Sequence, residues 1–199
     1  INWDTRTAMP IARDFLAAVA TSNGNIFAIG GRDSTGTYLN ILEEYDPIND
    51  AWVGRRNMPT ARGGLGAAIF NNKLYAIGGY TSSYLSTVEE YDLQTDTWTT
   101  HSNMPTARWG LGVIAAGNGK IYAIGGRNTS GSLNTVEEYD PLTDTWTTRA
   151  SMPTARAFFG IAIGNNDKIY AIGGINGSTS LNTVEESIPS PIMANKRVI

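Results

Sequence analysis

Four arginines stand at matched places along this chain: Arg13, Arg62, Arg108 and Arg156, each closing a pentapeptide Met-Pro-x-Ala-Arg. Repetition of a guanidinium allows two chemistries. Each arginine can tie a carboxylate such as Glu89 or Glu137 to a loop and so satisfy buried polar groups, the use that repetition favours. Set around a central channel, the same four would form a ring for an anionic ligand. Such near-fourfold repetition suits acid/base catalysis poorly, because that needs two groups in unlike surroundings. Paired carboxylates recur too, at Glu43/Glu44, Glu89/Glu90, Glu137/Glu138 and Glu185/Glu186. Adjacent residues of a strand point to opposite faces, so no pair converges on one substrate as glycosidase carboxylates do. His101 is the single histidine, at an outer-strand place where a sister copy has Arg149; it reads as a solvated edge residue rather than a base or ligand. The chain has no cysteine. Thiol catalysis, disulfides and zinc–thiolate sites are therefore excluded, and neither a metal nor a cofactor is expected.

The elements that position these residues follow from the same repetition. Met-Pro-x-Ala-Arg begins at Met9, Met58, Met104 and Met152, so the step is 46 to 49 residues. Each copy runs on to a Gly-Gly: Gly30-Gly31, Gly78-Gly79, Gly125-Gly126 and Gly173-Gly174. Three copies then read Glu-Glu-Tyr-Asp, with a Trp (Trp52, Trp98, Trp146) seven residues after the Tyr. This period suits a four-stranded propeller blade. In the copy from Met58, Gly63–Phe70 and Lys73–Ile77 read as the first two strands, joined at Asn71-Asn72, where Asn tolerates positive φ. Gly78-Gly79 ends the second strand where a Cβ would meet a neighbouring backbone. Thr87–Tyr91 reads as the third strand and Trp98 starts the outer one, its indole packed between blades. Asp46, Asp92 and Asp140 are expected to shape the following turns through their side chains. Nothing has helical periodicity.

Paired glycines, Tyr-Asp and the spaced Trp together resemble a kelch-repeat β-propeller over Trp3 to Glu186. Thr87–Arg108 and Thr135–Arg156 agree at 17 of 22 positions, so internal duplication is plain. The expected fold is all-β: a kelch-type β-propeller of four blades of four antiparallel strands, spanning residues 1–188. Blade steps fall near 9–57, 58–103, 104–151 and 152–187, with 1–8 added to the last, and 189–199 form a tail outside the repeat. Trp3 lies six residues before Met9, as Trp52, Trp98 and Trp146 lie before Met58, Met104 and Met152, while Ser187 and Ala194 stand where the last copy should have Tyr and Trp. Residues 2–7 are accordingly expected to pair beside 182–187, the N-terminal strand closing the last blade. A fragment lacking further blades, or strand exchange with a neighbouring chain in a swapped oligomer or polymer, are the alternatives.

The resemblance also implies that loops joining second to third strands, and loops joining blades, share one face. Candidate partner-binding residues there are Arg32, Asp33, Tyr38, Tyr80, Tyr84, Trp109, Arg127, Asn128 and Asn176, side-chain types that include those enriched at binding hot spots. Asp14, Phe15, Gly63, Gly64, Phe158 and Ile175 adjoin them, and for Phe15 and Phe158 packing is the competing role. Asn128-Thr-Ser and Asn176-Gly-Ser are glycosylation sequons of the kind that arise by chance. The family's sialic-acid mutarotases would use the arginines Arg13, Arg62, Arg108 and Arg156 as an anion ring. Its copper oxidases need a Cys–Tyr crosslink and two histidines, and its iron-dependent specifier proteins a His-containing set, so both assignments fail here. Net charge is −3 with basic residues scattered and no membrane-length apolar run, which gives no nucleic-acid footprint and no span. The chain opens at Ile1 with no initiating Met or leader pattern, as a piece of a longer product would; polar loops and absent cysteine lean toward a secreted or surface location. The expected role is a non-catalytic binding or structural module recognising a protein or glycan through its loops. A sugar-acid mutarotase or epimerase, and a homopolymer subunit, are the competitors.

Overall fold

A computed structural model describes residues 3–187. The described residues carry strands and no helix. Ala17–Ala20, Ile26–Ile29, Leu42–Asp46 and Ala51–Arg55 form the first blade. Gly66–Phe70, Lys73–Ile77, Val88–Asp92 and Thr97–His101 form the second. The third is Gly112–Ala115, Ile121–Ile124, Val136–Asp140 and Thr145–Arg149. All pairings within the blades are antiparallel meanders, as short connections require. Among the described residues the fourth blade has three strands, Gly160–Ile163, Ile169–Ile172 and Val184–Ser187.

Short-range chemistry sets these meanders. Asn71 and Asn72 both adopt positive φ (50° and 59°), the two-residue hairpin geometry whose twist matches the flanking strands. Asp46, Asp92 and Asp140 each accept the N–H two residues on, from Ile48, Gln94 and Leu142. The inner strand of the second blade begins at Gly66 rather than Gly63. Gly63 is taken by a bridge to Tyr80, and Gly64 turns with φ 61°. Gly78 shows why its position excludes a side chain: φ is +66°, and a Cβ would lie 2.7 Å from the Arg108 carbonyl oxygen. That carbonyl accepts the Gly79 N–H at 2.9 Å, which binds the second blade to the loop entering the third.

The core lies between blades. Phe27, Ile29 and Leu42 of the first blade pack on Leu74, Ala76 and Tyr91 of the second, with Met58 and Leu65. The second packs likewise on the third through Tyr75, Ile77, Val88, Ile121, Ala123 and Tyr139. Near the axis, backbone bonds run from blade to blade: Gly64 N–H to the Phe15 carbonyl, Gly110 to Gly64, and Phe158 to Gly110, at 2.7–2.8 Å. At the rim each of the first three blades grips the backbone two residues before a Met-Pro. Trp52, Trp98 and Trp146 Nε1–H donate to the carbonyls of Thr7, Arg56 and Ser102. Asp50, Asp96 and Asp144 accept the N–H of those same three residues and a Tyr hydroxyl each, from Tyr45, Tyr91 and Tyr139.

The four-blade all-β architecture is present, but the N-terminal strand does not close its last blade. Trp3–Ala8 form no strand, and Val184–Ser187 pair with Ile169–Ile172 alone among the described residues. The first blade grips Thr7 as the second grips Arg56, but it does not lie over the fourth, where Ile172 and Val184 are 47% and 59% exposed. Among the described residues the segment pairs with no strand, and Trp3 is left 95% exposed. Asn2 and the tail 189–199 lie outside the described residues.

Candidate recognition face

The repeated arginines anchor the loops that build this face. Arg62 Nη2 bonds Glu89 at 2.7 Å, Arg108 Nη2 bonds Glu137 at 2.9 Å, and Arg13 and Arg156 pair with Glu43 and Glu185. All four arginine side chains are 0% exposed. They also cap strand-end carbonyls: Arg62 donates to Ala76, Gly78 and Thr87. The ties expected for Glu89 and Glu137 are thus present. The anion ring of Arg13, Arg62, Arg108 and Arg156 is not, because each guanidinium is enclosed with its own carboxylate. Burial pushes Arg62 and Arg108 down to about 10, with the facing Glu89 and Glu137 acting the other way, so both are cations at neutral pH. A recurring signal went unused in the sequence: the Thr of Met-Pro-Thr. Thr60 and Thr106 hydroxyls donate to Glu89 and Glu137, whereas the first copy has Ile11 in that place.

Beyond each arginine the loop meets the segment after Gly-Gly. Arg13–Asp14 pairs with Arg32–Asp33, while Gly63, Trp109 and Ala157 bridge Tyr80, Arg127 and Ile175. Both loop groups are therefore brought to one face. On it the aromatic rings form a connected platform. Tyr80 lies 5.7 Å from Tyr38, 5.2 Å from Tyr84 and 5.4 Å from Trp109 between centroids. Trp109 continues to Phe15 at 5.7 Å and to Phe158 at 5.1 Å, the latter edge-on. Such tilted and edge-to-face contacts fix the rings without covering them fully. Gly64 and Gly110 make the room: a Cβ there would stand 2.9 Å from the Trp109 ring and 2.7 Å from that of Phe158. Phe15 and Phe158 occupy the equivalent left-handed positions, both at φ 52°, an uncommon conformation for a bulky residue.

Charge borders the platform on one side. Arg32 lies over the Phe15 ring at 5.0 Å and pairs bidentately with Asp14. The Arg32 hydrogen bond holds the Asp14 carboxyl below its ordinary range. Asp33, a predicted contact residue, turns inward to its own loop, where the Thr35 hydroxyl and the Thr37 N–H lower its pKa. Asn128 likewise caps its hairpin by accepting the Ser130 N–H, and Asn176 is exposed on the neighbouring hairpin. These two stand apart from the ring cluster, on hairpins linked by the Ser132 hydroxyl, which donates to Ile175 and accepts from Gly177. Trp109 Nε1 and Arg127 Nε are enclosed with no hydrogen-bond partner, which leaves two donors at the centre of the face unused. His101 is elsewhere and is not a solvated edge residue. It bonds Glu90 at 3.0 Å and packs between the Tyr75 and Tyr139 rings, because its outer strand faces the next blade. Among the described residues no His, Cys, Asp and Glu group is arranged to hold a metal, and no helix is long and apolar enough to cross a membrane.

Comparison with known proteins agrees with this geometry. The family description "KLHDC2/KLHL20/DRC7 Kelch-repeats domain" matches residues 2–174. Alpha-scruin of Limulus polyphemus is 32% identical over 81 residues, which is 41% of this chain and 9% of that protein. An F-box/kelch-repeat protein of Arabidopsis thaliana is 35% identical over 79 residues, 39% of this chain and 20% of its own length. Kelch-like protein 24 of Rattus norvegicus is 33% identical over 78 residues, 39% and 12% respectively. The matched stretches are thus a small part of those longer proteins. With blades, paired glycines and a family match over most of its length, the chain belongs to the kelch-repeat family.

Proposed function

We propose that the chain is a non-catalytic binding module that holds a protein partner on its loop face. The observation that carries this reading is the connected platform of Tyr38, Tyr80, Tyr84, Trp109, Phe15 and Phe158, bordered by Arg32. The repeat supplies the scaffold, and these rings occupy the places where the copies differ: Tyr80, Arg127 and Ile175 are equivalent, as are Gly63, Trp109 and Ala157. Aromatic and Arg side chains on rigid, strand-anchored loops offer contact area at low entropic cost, the composition of binding hot spots. Kelch-repeat modules typically bind proteins or serve as scaffolds, which favours a protein over a glycan. The mutarotase reading rested on the four repeated arginines, and none of the four has a solvent-facing guanidinium.

The test is to pan a random peptide library and a glycan array on the wild-type chain. Selected ligands are then measured against Tyr80→Ala and Trp109→Ala. Peptides whose affinity falls at least about tenfold in both variants, with far-UV spectra retained, support the reading. Ligands indifferent to both substitutions, or a glycan-only harvest, overturn it.

A further inference from the structure

The repeat places an arginine twice at the same point of the recognition face. Arg32 and Arg127 each follow a Gly-Gly. Each lies directly opposite the residue that follows a Met-Pro-x-Ala-Arg: Arg32 opposite Asp14, Arg127 opposite Trp109. Residues opposed in this way carry their side chains on one face of the ladder. In the first copy that closeness is used. Asp14 accepts from Arg32 Nε at 3.2 Å and from Nη2 at 2.8 Å, the forked pairing that a guanidinium and a carboxylate favour. The other two copies have Tyr80 and Ile175 there, opposite Gly63 and Ala157, and need no such partner.

In the third copy the carboxylate is missing. Trp109 offers no acceptor in the place of Asp14, and Arg127 makes no ion pair among the described residues. Its Nε, the counterpart of an atom that Asp14 satisfies on Arg32, is enclosed without a hydrogen-bond partner. Orphaned donors of this kind are rare in folded proteins. On its other side Arg127 is opposed by Ser132, whose hydroxyl is committed to Ile175 and Gly177 of the next hairpin. Lys120 and Arg149 of the same blade, by contrast, have Asp140 and Glu138. The sequence outside residues 3–187 holds no Asp or Glu. Arg127 is half-buried at the edge of the aromatic platform, where solvent screens a charge pair less than on open surface.

We propose that Arg127 is a binding site for the side-chain carboxylate of an Asp or Glu supplied by the protein partner. The repeat indicates the source as well as the charge, because the group that fills this place in the first copy is an aspartate side chain. The partner's carboxylate stands in for Asp14, and apolar residues beside it in the partner's sequence meet the rings of Trp109, Tyr80 and Phe158. Arg32 is already neutralised by Asp14 and offers no second site. The partner is therefore recognised at one charged point, an acidic residue flanked by apolar ones. This inference rests on the loop face being the protein-binding surface and adds the charge that its partner must carry.

Peptides selected from a random library on the wild-type chain are the probes, resynthesised with amidated C-termini so that no terminal carboxylate can stand in. Changing their acidic residue to Asn or Gln should lower affinity about tenfold or more on the wild type. The same change should matter by less than about twofold on Arg127→Gln. On Arg127→Glu the acidic peptide should fail, while the version with Lys at that position recovers binding, a rescue that a purely structural role for Arg127 would not give. The peptide-side change is read on the wild type and needs no protein variant to fold. Peptides that lose affinity in Tyr80→Ala but ignore the acidic change, bind only with a free C-terminus, or keep the acidic effect in Arg127→Gln overturn the Arg127 site and leave the loop-face reading standing. Peptides indifferent to Tyr80→Ala and to the acidic change overturn both.

Discussion

Arg108→Met isolates the tie on which the loop face rests. The Arg108 side chain is 0% and that of Glu137 2% exposed, with 2.9 Å between Nη2 and the carboxylate. Arg108 also donates to the Ala123 carbonyl at 3.0 Å. Methionine fills a similar volume but supplies no donor. Glu137 would then keep the Thr106 hydroxyl at 2.7 Å and lose its counter-charge. Breaking a buried pair from one side costs about 3–5 kcal/mol, chiefly from the stranded charge. For a chain of this size that corresponds to a fall in Tm of roughly 6–20 °C. Adding Glu137→Leu removes the stranded carboxylate and should recover at least about half of the loss, since apolar replacement of a whole buried pair is often near neutral. Arg108→Lys should fall between, because an ammonium cannot span the carbonyl and the carboxylate as a planar fork does. Urea melts of the wild type and these three variants give the comparison. A single-variant loss below about 1 kcal/mol, or a double variant no better than Arg108→Met, would refute the reasoning.

Three other outcomes are expected. Gly78→Ala puts a Cβ 2.7 Å from the Arg108 carbonyl at φ +66°, so it should destabilise by more than the ~1–2 kcal/mol of left-handed strain alone; Gly36→Ala, with φ +88° and open space, should show the strain without the clash in the same melts. Asp50 and Asp96 are held below the ordinary carboxylate range, Asp50 first by the Tyr45 hydroxyl and Asp96 first by the Arg56 N–H. A depressed folded pKa means stability that is complete above the unfolded pKa and lost as pH falls through the folded one. Tm should therefore decline from about pH 5 downward, and Asp96→Asn should flatten part of that decline; a Tm indifferent to acid contradicts this. Tyr84→Ala removes a half-buried ring whose described partner is Tyr80, so it should weaken a selected peptide while shifting stability by less than about 1 kcal/mol.

Much of the scaffold was legible because it rests on local chemistry repeated in each copy. Gly-Gly, the Asn turns, the Asp turns and the spaced Trp each report a backbone requirement within a few residues. The blade count followed from their period. Long-range partners were legible only where the repeat marked both ends, as with Arg62 and Glu89. Closure was misread because complementary ends do not show whether the first and fourth blades meet; Ile172 and Val184 stay uncovered, and Val184–Ser187 pair with Ile169–Ile172 alone among the described residues. His101 was misread because an outer strand looks like an edge until the next blade lies over it. For the recognition face, the positions of Tyr80, Tyr84 and Trp109 could be named from differences between copies. Their mutual contact could not, since it depends on Gly64 and Gly110 opening space at the axis.

Indole N–H resonances of the five tryptophans test the recognition face most directly. Trp52, Trp98 and Trp146 sit in blade seams with their Nε1–H groups bonded, whereas Trp109 Nε1–H on the platform has no partner. Titration with a peptide selected on the wild-type chain should move the Trp109 signal and leave the three seam signals in place. Movement of seam signals with Trp109 unchanged would contradict the assignment of the loop face as the binding surface.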